Sequence, residues 1–166
     1  MLVSALGAPA MACAALVSPH EKSLNLFNTH TGETFNNVFW VDGQFVPDAL
    51  DKINRLLRDH RSEQVMAIDP NLLFLLEKVS AQVGSSNVLH VISGYRSPET
   101  NQWLADRSDG VARHSLHLEG KAIDIRVPGR DLAVVRKVAL DTRGGGVGFY
   151  PDSQFVHIDT GRVRSW

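Results

Sequence analysis

Two short segments of alternating polarity, Ala122-Ile123-Asp124-Ile125-Arg126-Val127 and Phe155-Val156-His157-Ile158-Asp159, constrain this chain more than any other feature. A period of two reads as a strand, and successive strand side chains point to opposite faces. Asp124 therefore projects from one strand, while His157 and Asp159 share a face of the other. Just upstream, Ser115-Leu116-His117-Leu118-Glu119-Gly120 puts His117 on a loop, and Gly120 permits the close turn that joins this loop to the first strand. If the two strands are neighbours, His117, Asp124 and His157 aim inward together. Two neutral imidazoles and a carboxylate suit zinc, and three protein ligands leave a position for water or substrate. Water at such a position becomes a nucleophile near neutral pH.

The remaining pattern mixes helix and strand. Leu24 to Asn28 and Glu33 to Trp40 flank Thr29-His30-Thr31-Gly32 and read as a hairpin. Leu50, Ile53 and Leu57 recur at helical spacing between Pro47 and about His60. A second helix is expected from Pro70 to Val83, capped by Asp69 and ended by Gly84. Val88 to Ser93 is an apolar run that reads as a buried strand, and it delivers Gly94-Tyr95-Arg96 to an edge before Ser97-Pro98-Glu99 opens a helix carrying Trp103 and Leu104. Another helix is expected over residues 131–141. Gly144-Gly145-Gly146 then reads as a flexible or closely approached loop, and no Gly-Lys-Ser/Thr follows to make it a phosphate cradle.

Ile92-Ser93-Gly94-Tyr95-Arg96-Ser97-Pro98-Glu99-Thr100-Asn101, taken with the two metal-site segments, resembles the LAS group of zinc peptidases (lysostaphin, D-alanyl-D-alanine peptidases, hedgehog-type domains). The resemblance is strongest to the YcbK-like branch of D-alanyl-D-alanine carboxypeptidase-like enzymes, which are periplasmic murein endopeptidases. It covers about residues 23–166, with the pieces in the same order. It implies an α+β single domain in which a small antiparallel sheet carries the metal and helices pack mainly on the other face. It also implies that His117, Asp124 and His157 ligate Zn2+, and that Arg96 holds substrate or a developing oxyanion. A guanidinium offers fixed donors and permanent charge for that task.

Several relatives place an acid three residues before the last ligand or a histidine two before it, where this chain has Gln154 and Phe155. The general base is therefore open. Asp159 is the first candidate, either to deprotonate water or to orient an imidazole, and His114 is the second. His20, His30, His60 and His90 lack comparable surroundings. The implied reaction is hydrolysis of a peptide bond in peptidoglycan stem peptides, as a cross-link endopeptidase. The alternatives are a D,D-carboxypeptidase or dipeptidase trimming terminal D-amino acids, and a metal-stabilised wall-binding module without catalysis.

With 166 residues and 43% hydrophobic composition, one domain with a sizeable core is the expectation. A net charge of −1 offers no basic footprint for nucleic acid. The first seventeen residues carry no charged side chain and are rich in Ala, Leu, Val and Met, with Ala8-Pro9-Ala10 and Ala10-Met11-Ala12 as cleavage-like patterns. Residues 1–20 therefore read as an export-signal remnant or a disordered extension, and residues 21–166 as the zinc peptidase domain. Gly7 and Pro9 interrupt the apolar run, which is too short for a stable membrane span. Cys13 is the only cysteine, so the domain has neither an intrachain disulfide nor a thiolate ligand. An exported, periplasmic location fits the substrate that the resemblance implies.

Overall fold

The computed structural model describes residues 20–84, 88–108 and 112–166. The proposed export segment, with Cys13, lies outside these residues except for His20. β1 (Glu21–Asn28) and β2 (Thr34–Val41) form the expected hairpin, and β3 (Gln44–Phe45) adds a short edge. Helices α1 (Pro47–Leu56) and α2 (Pro70–Gly84) follow, then β4 (Leu89–Ser93) and α3 (Pro98–Ala105). A 3-10 turn over Leu116–Glu119 leads into β5 (Ala122–Arg126), α4 (Leu132–Asp141), β6 (Gly146–Tyr150), β7 (Phe155–Asp159) and β8 (Arg164–Ser165).

The eight strands form one sheet in the order β3-β2-β1-β4-β5-β7-β6-β8. This corrects the expectation of a small antiparallel sheet: it is larger and mixed, with β1 parallel to β4 and β6 parallel to β8. The reason is connectivity. Between β1 and β4 the chain crosses over through α1 and α2, a length that returns a strand in the same direction. α1 also stops short of the expected His60. The Asn28 side-chain amide donates to the Leu56 carbonyl at 2.8 Å, and the Tyr95 amide donates to the Leu57 carbonyl at 2.7 Å, so two carbonyls at the helix end are already engaged.

Two faces of the same strands serve different ends. Ile123, Ile125, Val156 and Ile158 point into the core with Ile53 of α1, Leu72 and Leu76 of α2 and Val135 of α4. The alternate positions, Asp124 and His157, point the other way and pair directly across β5 and β7, with Ile123 opposite Ile158 beside them. Burial of the apolar face thus holds the register that aligns the polar one. Ile123 is fully buried, so Ile123→Ala is expected to cost about 2–5 kcal/mol, read as a lower denaturation midpoint with an unchanged denaturant slope.

Candidate metal centre

Each of the three residues is delivered by a distinct local device. Asp124 and His157 are cross-strand partners on β5 and β7. His117 sits in the 3-10 turn, which Ser115 caps by accepting the His117 amide. Gly120 ends the turn at φ +65°, where a side chain would be strained, and a Cβ there would lie 2.6 Å from the Ala67 carbonyl oxygen. A register shift in β4 before Ser93, which pairs with Asp124, re-aims the chain as it leaves the sheet toward Gly94.

The three ligand atoms converge. His117 Nε2 lies 3.3 Å from Asp124 Oδ1 and 3.2 Å from His157 Nδ1, and His157 Nδ1 lies 2.9 Å from Asp124 Oδ1. Donors held about 2.0–2.2 Å from one tetrahedral ion stand roughly 3.3 Å apart, so the spacing suits a single metal. Among the described residues, these side chains form the one group of three or more whose ligand atoms could share an ion. All three are buried, at 2%, 5% and 8% exposure.

The outer nitrogens are also engaged. His117 Nδ1 lies 2.7 Å from the Gly94 carbonyl, and His157 Nε2 lies 3.0 Å from Asp159 Oδ2. A carbonyl and a carboxylate only accept, so these two nitrogens carry hydrogen and the opposite nitrogens face the common centre. Burial disfavours the His157 imidazolium, but hydrogen bonds with Asp124 and Asp159 outweigh it and raise the pKa to about 9. Burial likewise opposes the charge on Asp124, while the two histidines hold its carboxyl well below the usual carboxylate range.

Arg96 stands beside this group and is also buried. Its Nη2 lies 3.6 Å from Asp124 Oδ2 and donates to Ser93 Oγ at 3.3 Å, and Nη1 donates to Asn101 Oδ1 at 3.3 Å. Nε has no partner among the described residues. Burial lowers the pKa of the guanidinium, against the opposing pull of Asp124. This is a buried cation with long bonds and an unspent donor. Its backbone is tightly held, since the Arg96 amide donates to the His117 carbonyl at 3.1 Å and the Ser97 amide to Asp59 Oδ2 at 2.9 Å.

A cleft of about 150 Å³ opens over the group, with Arg96 and His114 on its walls and Tyr150 and Trp166 at its aromatic side. His114 is exposed and lines the cleft. Asp159 does not line it: the side chain is wholly buried behind His157. Sequence reasoning did not single out Asp59, Tyr150, Arg164 or Trp166. Asp59 falls inside the helix expected from Pro47 to about His60, and its carboxyl, which burial alone would raise, is held far below the usual range by Thr100 and by the Ser97 and Arg61 amides. Tyr150 and Trp166 reach the cleft from the β6–β8 end, whose pairing leaves no mark in local alternation.

The family described as peptidoglycan L,D-endopeptidase MepK matches residues 17–166. Peptidoglycan L,D-endopeptidase MepK of Escherichia coli strain K12 is 43% identical over 165 residues, covering 98% of this chain and 91% of that protein. The Shigella flexneri protein of the same name matches to the same extent. The probable peptidoglycan L,D-endopeptidase MepK of Haemophilus influenzae is 41% identical over 159 residues, covering 95% of this chain and 86% of that protein. The chain belongs to the MepK family, within the LAS-type zinc peptidases.

Proposed function

We propose that this chain is a zinc-dependent endopeptidase that hydrolyses L,D cross-links between peptidoglycan stem peptides in the periplasm. The observation that carries the reading is the triangle of His117 Nε2, Asp124 Oδ1 and His157 Nδ1 under a cleft walled by a buried arginine. The names of the relatives support the substrate and the bond. Residues 21–166 are proposed as the catalytic domain and residues 1–20 as an export segment. No helix among the described residues is long and apolar enough to cross a membrane.

His117, Asp124 and His157 are the proposed ligands, and their nitrogen and oxygen donors match zinc. Bound there, zinc supplies Lewis acidity that polarises a carbonyl and acidifies water. The protein's own residues do the rest. Arg96, on the cleft wall, offers its charge to a substrate carbonyl or carboxylate. His114, on the cleft wall, is the better-placed group to take a proton from water. Both oxygens of Asp159 are occupied by hydrogen bonds, which suits the role of orienting His157 rather than that of a base.

Purified L,D-linked and D,D-linked muropeptide dimers and monomeric pentapeptides separate the readings. Zinc-loaded protein is expected to consume only the L,D-linked dimers, and chelated protein and the His157→Ala variant to consume none. Activity surviving chelation would overturn the metal reading, and loss of the terminal residue from pentapeptides would favour a carboxypeptidase. Arg96→Ala, assayed zinc-saturated with metal content checked directly, is expected to lower kcat/KM about 100-fold to 1,000-fold.

Metal uptake is also expected to depend on pH. With its pKa near 9, His157 is protonated at pH 7 in the metal-free protein, so an incoming ion must displace that proton. Apparent affinity should therefore rise with pH up to about 9 and level off above it. Calorimetry at pH 7 in buffers of different ionisation enthalpy should read about one proton released per ion.

A further inference from the structure

Behind His157 lies a second layer that the proposed reaction does not itself use. Asp159 Oδ1 accepts from the Gly146 amide at 3.1 Å, the Gly161 amide at 2.8 Å and Arg164 Nη1 at 3.0 Å. Asp159 Oδ2 accepts from Arg164 Nη2 at 2.8 Å and from His157 Nε2 at 3.0 Å. The guanidinium thus grips the carboxylate with two parallel bonds, a geometry that fixes orientation as well as distance. The same carboxylate fixes the ring. Arg164 is itself held, because Nη1 also donates to the Arg162 carbonyl at 3.1 Å and the Trp166 indole lies 4.8 Å from the guanidinium carbon. The indole also sits 5.3 Å from the His157 ring and donates its N–H to the Tyr150 hydroxyl at 2.8 Å.

The triple glycine gains its reason here. A Cβ at Gly145 would run into the Asp159 carbonyl oxygen, and one at Gly146 into Arg164 Nη1 and Asp159 Oδ2. The loop is bare so that this layer can press against β6. β8 contributes to the same end: it pairs Arg164 with Gly146 in parallel register, which lays the guanidinium over the carboxylate.

We propose that Arg164 is a positioning residue for the metal site, acting through Asp159 to hold His157 in the one tautomer and ring orientation that presents Nδ1 to the ion, with Trp166 as the cover that keeps Arg164 in place. This rests on the reading of His157 as a metal ligand. Arg164 also lines the cleft, but both of its terminal nitrogens are engaged by Asp159, so on this reading it acts through that carboxylate rather than on the reacting bond. Its effect is on affinity and ring state, and the chemistry of the cleft is left to Arg96 and His114.

The test uses the whole chain as wild type, Arg164→Met, Arg164→Lys and Trp166→Leu, with folding checked by thermal melts. Zinc affinity is read by chelator competition, and the His157 ring by nitrogen-15 imidazole NMR in the zinc-loaded state. Wild type is expected to show a single Nε2–H tautomer with a slowly exchanging ring proton. Arg164→Met is expected to lose zinc affinity about 10-fold to 100-fold and to lose that slowly exchanging proton. Arg164→Lys, which keeps charge but not the paired bonds, should recover only part of both, and Trp166→Leu should speed exchange of the ring proton with Arg164 still present. A folded Arg164→Met protein with wild-type affinity and an unchanged ring signal overturns the inference alone. Should Arg164→Met not fold, the wild-type spectrum and Arg164→Lys decide: a wild-type His157 ring without a protected Nε2–H, or a folded Arg164→Lys protein with wild-type zinc affinity and ring signal, overturns it. Wild-type protein that takes up no zinc overturns the metal reading and this inference together.

Discussion

One imidazole between two carboxylates organises the polar face of this sheet. His157 meets Asp124 at Nδ1 and Asp159 at Nε2, so the ring is held in one orientation. The first contact follows from the pairing of β5 with β7, which sets Asp124 opposite His157, and the second from the two-residue period of β7, which puts His157 and Asp159 on one face. A slip of a single residue in β7 would carry the ring and Asp159 into the apolar layer, and one in β5 would carry Asp124 there. Buried charges there, without partners, would be far more costly than any packing gained. The polar cluster and the core therefore specify the same register from opposite sides.

That agreement explains why the site sits on β5 and β7 in the interior of the sheet rather than at a mobile rim. Ile123, Ile125, Val156 and Ile158 are wholly buried against the helices, and the atoms that converge on the other face inherit that rigidity. Groups that must be held within a fraction of an ångström benefit from such a floor. His117 is the exception in origin, coming from a 3-10 turn, but hydrogen bonds to the Gly94 carbonyl and from the Arg96 amide tie it down.

What could be read from sequence was what local pattern records. Alternation located β5 and β7, helical spacing located α1, Asp69 and Gly84 bounded α2, a helix over residues 131–141 matched α4, and Ser97 announced a helix start that it does cap. Residue chemistry drew attention to His117, Asp124 and His157, whose ligand atoms meet, and to Arg96, which lies beside them. Relations between distant elements were not legible. The parallel return of β4 depends on a two-helix crossover, and β8 is two residues long with no alternation to show. Asp59 and Arg164 carry no local signal because their partners, the Ser97 amide and the Asp159 carboxylate, are chosen by the fold. The triple glycine was visible as a closely approached loop, but not what approaches it.

The paired bonds between Gly94-Tyr95-Arg96 and the His117 turn make the arginine and the imidazole one mechanical body. Neither can be relocated to suit a new bond without carrying the other along. The opposite bank, where Tyr150 and Trp166 stand, shares neither bond, so a change there is felt by Arg164 and the His157 ring while the clasp stays shut.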